Sequence, residues 1–209
     1  MPASISLNLT GRFVHLSPLS LEDVPGLLAS ATEGRSSYGF TQVPDTMTEM
    51  GHLLQGQLDE QSRGLSVPFA TRNAATGALV GMTRFLNLRW WFGREFPDAA
   101  EIGSTFLAAS AQRTAINTEA KLLMLTHAFE TWQVQRLDLK TDERNTQSRT
   151  AIERLGAHFD GVLRNWQPSA VAGEEGRARN TAMYSIRPTE WPGVRMALSA
   201  RLNNADRAK

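Results

Sequence analysis

The chain has 209 residues, a formal net charge of +1 at pH 7 and no cysteine. That length fits one domain with a core of its own, and so even a charge gives no global field to draw in nucleic acid or an anionic membrane. Without cysteine there is no disulfide, no thiolate metal ligand and no thiol nucleophile. The four histidines, His15, His52, His127 and His158, show no metal-ligand spacing, so no metal is expected. The opening MPASISLNLT has neither the basic start nor the apolar core of a secretory signal. No apolar run approaches the roughly 20 residues that cross a bilayer. A cytoplasmic protein without membrane association is expected.

In chain order, RFVHLSPL (12–19) reads as a first strand ending at Pro18, and SLEDVPGLLAS (20–30) as a short helix opened by Ser20, with Pro25 against it. Residues 46–61 place Met50, Leu53, Leu54 and Leu58 at helical spacing. LSVPFATRNAATGALVGMTRFLNL (65–88) predicts two strands joined at NAATG, where Asn and Gly supply turn conformations. After RWWFGREFPDA (89–99), AEIGSTFLA (100–108) predicts another strand. It delivers the chain into QRTAIN and a helix of roughly four turns, with Leu122, Leu125, Phe129 and Trp132 on its buried face and Asn117 as its N-cap.

QRLDLKT (135–141) alternates as a strand, and NTQSRTAIERLGA (145–157) is a helix with Asn145 at its start and Gly156 at its end. Strands near 158–166 and 180–187 complete the sheet, with PSAVAGEEGRA (168–178) a mobile loop between them. The tail predicts a short helix and a frayed end. A strand–helix–strand–helix order of this kind favours an α/β sheet with local parallel pairing.

The chemistry starts in the polar loop before the 118–132 helix. The first turn of a helix has unpaired N–H donors and a partial positive charge, which suits a phosphate or pyrophosphate. Arg113 adds a charge-assisted contact, and Gln112, Thr114 and Thr118 add neutral ones. An ordinary capped connection between a strand and a helix shows the same local features. The loop lacks the G-x-x-x-x-G-K-[ST] and G-x-G-x-x-G patterns, which disfavours ATP and NAD.

Together EIGSTFLA, QRTAIN, TEAKLLMLTHAFE, LDLKTDERN and NTQSRTAIERLGA, in that order, resemble the acetyl-CoA-binding region of the GNAT N-acetyltransferases, specifically the RimJ/RimL-type branch. The resemblance extends more loosely over residues 9–195. It implies a single α/β (α+β) domain over 1–209: a mixed, mostly antiparallel central sheet of about six to seven strands flanked by helices, with a flexible tail from about 196. It implies acetyl-CoA as cosubstrate. The main chain of Phe106, Leu107 and Ala108 would bind the pantetheine arm. Gln112, Arg113, Thr114, Ala115, Ile116, Asn117 and Thr118 would hold the pyrophosphate, and Asn145, Ser148 and Arg149 would lie near the pantetheine and thiol end. Two positions depart from the family pattern. Ala115 stands at the first loop glycine and suits the loop only at negative φ, and Asn117 stands at the second small position.

Acetyl transfer needs a neutral amine, a polarised thioester and a proton for the leaving thiolate. Glu101 matches the strand position of the family's general base, and a carboxylate paired with an arginine at the sheet edge is the equal alternative. Ile152 stands where many relatives have an acidic tyrosine; Tyr184 and Ser110 are the remaining hydroxyls, each with a structural role as the plainer reading. Trp90 and Trp91 point to opposite faces if extended, one to the core and the other to an acceptor pocket.

The leading reading is an N-acetyltransferase acting on a primary amine of a protein N-terminus or small molecule. A non-catalytic CoA-binding or regulatory module of the same fold is the alternative. Acceptor choice would rest with 33–41, 89–98 and 167–179. Exposed aromatics in 89–98 and the apolar tail suggest a homodimer, and no basic cluster suggests nucleic acid.

Overall fold

One sheet of eight strands, in the order β1-β2-β3-β4-β5-β6-β8-β7, organises the computed structural model, which describes residues 5–207. The strands are β1 (Leu9–Thr10), β2 (Val14–Pro18), β3 (Val67–Asn73), β4 (Leu79–Arg89), β5 (Ala99–Leu107), β6 (Arg136–Asp142), β7 (His158–Pro168) and β8 (Ala178–Ile186). The helices are α1 (Val24–Thr32), α2 (Met47–Ser62), α3 (Ala115–Thr126), α4 (Thr146–Arg154) and α5 (Trp191–Arg207). Every neighbouring pair is antiparallel except β5 and β6, which run parallel. The mixed, mostly antiparallel class is as expected. The additional strand is β1, whose two residues are too short to show an alternation.

The sheet separates two apolar layers. On one face α1 and α2 bring Leu27, Met50 and Leu54 against Ala70, Met82 and Phe106. On the other, α3 and α5 bring Met124, Leu125 and Leu198 against Phe69, Phe85 and Ile102. Pro25 does not break α1, because it sits in the first turn, where a missing N–H costs nothing. Thr46 caps α2 by accepting the Glu49 N–H at 3.2 Å.

Three expectations about the C-terminal half need correction or sharpening. The N-cap of α3 is Thr114, whose hydroxyl accepts the Ile116 N–H at 3.3 Å; Asn117 lies inside the first turn instead. The helix then closes in a π turn over His127–Thr131. The short helix expected in the tail is 17 residues long and runs through the segment expected to be flexible. It is held because Val194, Leu198 and Leu202 recur every fourth residue and are buried. Asn145 does cap α4, accepting the Ser148 N–H at 3.0 Å, and Gly156 follows that helix at φ 92°.

One tie joins the N-terminal strands to α3. The buried carboxylate of Glu119 accepts the main-chain N–H groups of Arg12 (3.0 Å), Phe13 (2.5 Å) and Val14 (2.9 Å). Gly11 makes room for it, since a Cβ there would run into that carboxylate.

Candidate active site

β5 and β6 pair only over Ala99–Glu101 and Arg136–Asp138, after which the two strands diverge. On its other side β5 changes register against β4 between Met82 and Arg84, and Ser104 takes φ 48°. A bulge of this kind turns a strand and releases its main chain from the ladder. The result is a cleft of 1940 Å³ that runs from the N-terminus of α3 past the divergence to α2 and β8. Its volume exceeds the roughly 300–1000 Å³ of a single small-ligand pocket, so it has room for two substrates at once.

At one end the 3-10 turn Ala109–Ala111 leads through Gln112 and Arg113 into α3. The left-handed residue of this loop is Arg113, at φ 58°, and Ala115 is helical. Alanine therefore replaces glycine without strain. The side chains of Gln112, Arg113, Thr114, Asn117 and Thr118 all line the cleft. Asn145 and Ser148, at the start of α4, line it from the opposite wall.

The main chain of β5 is partly engaged. Ala108 N–H donates to Val80 O at 2.8 Å, so by the alternation of an antiparallel ladder Leu107 turns its main chain away from β4 towards the cleft. The Leu107 carbonyl already accepts from Tyr38 Oη at 2.8 Å and from Gln112 Nε2 at 2.9 Å. Both of its lone pairs are thus taken, and the Leu107 N–H is the group left to meet a ligand.

Farther along, Glu101 is buried at the last residue of β5 that pairs with β6. Lys140 Nζ stands 3.1 Å from its Oε2, and Asn87 Nδ2 donates to the same oxygen at 2.7 Å. Oε1 remains available, beside Gly103, where a Cβ would come within 3.2 Å of it. Around Glu101 the charges are matched. Arg84 pairs with Glu60 and Arg89 with Asp138, each at 2.5 Å, and Arg144 bridges Asp142 (2.8 Å) to Glu174 (2.7 Å). The hydrogen bonds from Arg144 and Ser169 hold the Glu174 carboxyl down to about 2, which straps the 169–177 loop to the start of α4. Arg179 lines the same end, and its Nε is buried without a partner.

A different amine enters the floor of the cleft. Lys121 of α3 is 5% exposed, and burial alone pushes it down to about 7. Its Nζ donates to Thr105 Oγ1 (2.8 Å) and Thr83 Oγ1 (3.1 Å).

The family model for the acetyltransferase (GNAT) domain matches residues 14–158 of this sequence. The chain belongs to the GNAT acetyltransferases. A GCN5-related N-acetyltransferase from Brucella melitensis is 25% identical over 96% of this chain and 87% of its own, with a TM-score of 0.83. At the level of fold, Mycobacterium smegmatis RimJ, solved in complex with CoA-disulfide, superposes with a TM-score of 0.78 at 20% identity over 96% of this chain and 97% of that one. RimL, a ribosomal L7/L12 alpha-N-protein acetyltransferase, gives 0.73 at 17% identity over 88% and 95%. A search of the curated proteins finds no match.

Within this GNAT acetyltransferase the cleft gathers Glu101, Phe106, Leu107, Gln112, Arg113, Thr114, Asn117, Thr118, Asn145 and Ser148. It does not gather the rest of the expected set. Ala108 and Ile116 are buried in the core, Ala115 is half-buried outside the lining, and Arg149 turns to Tyr184 Oη and the Glu143 carbonyl. Trp90 packs against the core, while Trp91, 50% exposed, lies under the Arg89 guanidinium and edge-on to Phe92; neither lines the cleft. Tyr184 is fully buried between Arg149 and Glu153, and Ser110 bonds Glu33. Both hydroxyls are structural. The residues that sequence reasoning missed are Tyr38, Asn87, Lys121, Lys140 and Arg179. Lys121 had a signal: it precedes Met124 and Leu125 by three and four positions and so shares the buried stripe of its helix.

Proposed function

We propose that this chain moves an acetyl group from acetyl-CoA to a primary amine, an N-terminal α-amine or a small-molecule amine, by direct attack on the thioester. The pyrophosphate is assigned to Gln112–Thr118 at the N-terminus of α3, and the pantetheine to the gap between β5 and β6, where the Leu107 N–H is free to donate. The thioester then reaches the level of Glu101. The amine nitrogen bonds to the carbonyl carbon, the C–S bond breaks, and the thiolate takes up a proton from a water in the cleft. Glu101 Oε1, or a water it holds, receives the proton the amine gives up. The placement of that carboxylate at the point where β5 and β6 part is the observation that carries the reading.

An N-terminal α-amine is the easier acceptor: with a reference pKa near 8 it is roughly a tenth neutral at neutral pH, whereas a lysine near 10.4 is far less so. Pairing with Lys140 also leaves Glu101 with little net charge to hold an ammonium. RimL, a fold neighbour named for N-terminal protein acetylation, supports the same choice. The test is an acceptor panel with labelled acetyl-CoA: peptides with free N-termini, N-terminally blocked lysine peptides, polyamines and aminoglycosides. Label on the free-N-terminus peptides is expected. Cofactor binding without transfer to any amine would favour the non-catalytic module instead.

A further inference from the structure

Lys121 carries an amine beneath the cleft with no anion to meet it among the described residues. The two hydroxyls it touches, Thr83 on β4 and Thr105 on β5, flank the register change between those strands. They are dipoles rather than counter-ions, and an ammonium has a third N–H to place. The charged side chains of the surrounding elements are committed elsewhere. On β4, Arg84 goes to Glu60 and Arg89 to Asp138; on β5, Glu101 goes to Lys140 and Asn87. On α3 itself Glu119 takes the N–H groups of residues 12–14, and Arg113 is exposed in the loop. On β6, Asp138 is shared by Arg89 and Arg136; from α5, Arg201 reaches the carbonyl of Arg154 on α4. His15 of β2 lies on the face of its strand opposite the buried Val14 and Leu16. Desolvation is accordingly the one cause of the lowered amine.

A buried cation without a counter-ion is costly, and an anion bound beside it would relieve that cost. The cleft it lines is the one assigned to acetyl-CoA, a polyanion, so this inference rests on that assignment. We propose that Lys121, one helical turn beyond Asn117 and Thr118 of the segment assigned to the pyrophosphate, takes up a proton when acetyl-CoA binds and becomes the buried counter-charge of the bound cofactor. The linkage is reciprocal: if the ligand raises the proton affinity of the amine, the protonated protein binds the ligand more tightly by the same factor. Affinity then falls as pH rises through the interval between the free and the bound titration of Lys121.

The experiment is calorimetric titration of the protein with acetyl-CoA, and with 3′-dephospho-CoA to remove the ionisation of the ligand's own phosphate, in buffers of different ionisation enthalpy. A tenfold coupling predicts uptake of about half a proton more by the wild type than by Lys121→Met at about pH 7.5, for both ligands. It also predicts that wild type binds about tenfold tighter at about pH 6 than at about pH 9, where the two proteins converge. Lys121→Arg, charged throughout this range, is expected to bind without proton uptake, and it keeps the test open should the methionine variant fail to fold. Tight binding with equal proton counts in wild type and variant would overturn the inference alone. Absence of any acetyl-CoA binding would overturn the cofactor assignment and this inference with it.

Discussion

Replacing Lys121 with methionine is expected to stabilise the ligand-free protein, an unusual direction for a change at a buried, hydrogen-bonded side chain. Holding the amine at about 7 rather than 10.5 costs the folded state about 4 kcal/mol at neutral pH, from about 1.4 kcal/mol per tenfold change in proton affinity. Methionine removes that cost and fills most of the volume. It gives up two hydrogen bonds, about 1 kcal/mol each. The two threonine hydroxyls, 2.8 Å apart, continue to satisfy one another. The balance is a gain of about 2 kcal/mol, or roughly 4–8 °C in Tm for a chain of this size. The sign can be followed with pH. The folded amine titrates below the unfolded one, so the unfolded chain binds more protons between about 7 and 10.5, and wild-type stability rises with pH across that window. The advantage of the variant is therefore largest below about pH 7 and shrinks towards pH 10 or so. Chemical denaturation at several pH values measures it. A variant that is less stable at about pH 6, or a gap that does not change with pH, would refute the reasoning.

Arg113→Gly suits the left-handed backbone at φ 58° and removes the whole side chain, guanidinium included, without backbone strain. It should weaken acetyl-CoA roughly tenfold while leaving an unphosphorylated pantetheine fragment unchanged in equilibrium binding; equal weakening would move Arg113 out of the phosphate site. Glu101→Gln should lower kcat about 10²-fold at neutral pH, with partial recovery in alkaline buffer as free amine becomes abundant and with acetyl-CoA affinity unchanged. Wild-type turnover at neutral pH with a chemically limited acceptor would make Glu101 structural. Glu119→Gln leaves one oxygen where two shared three N–H groups and points its NH2 at donors, so a loss of about 2–3 kcal/mol is expected in denaturant unfolding. No measurable loss would show that water replaces the carboxylate. Trp91 and Phe92, at 50% and 70% exposed, are expected to join two subunits; a monomer mass by light scattering at working concentration would count against the pairing.

The elements with regular apolar spacing are legible in the amino-acid sequence. Met50 and Leu54 mark the inner face of α2, and the Asn145 and Gly156 caps delimit α4. Short or tertiary-driven features are not. β1 has two residues, and α5 is long because its four-residue apolar repeat finds α3 to pack on, a contact invisible in a segment that also holds Pro192, Gly193 and two asparagines. The cap of α3 lies at Thr114 rather than at Asn117, three residues on. Both are good capping residues, and what selects Thr114 is the left turn at Arg113 just before it.

The site divides in the same way. The loop proposed to seat phosphate is local, made of consecutive residues, and its pattern survives in the sequence even with Ala115 in place of glycine. The groups that contact Leu107 and Glu101 are not local. Tyr38 reaches Leu107 across 69 positions, Asn87 reaches Glu101 from the strand on one side, and Lys140 arrives from the strand on the other. None of these pairings has a spacing to read, because each depends on which strands become neighbours. Lys121 is the intermediate case. Its helical phase marks it as inward-facing, yet a lysine between Ala120 and Leu122 reads by composition as a solvated position, and only the packing of α3 onto β4 and β5 removes its water. A lysine is expensive at that site and a leucine would serve the core better. Its presence there points to a requirement for charge that the ligand-free protein does not itself contain.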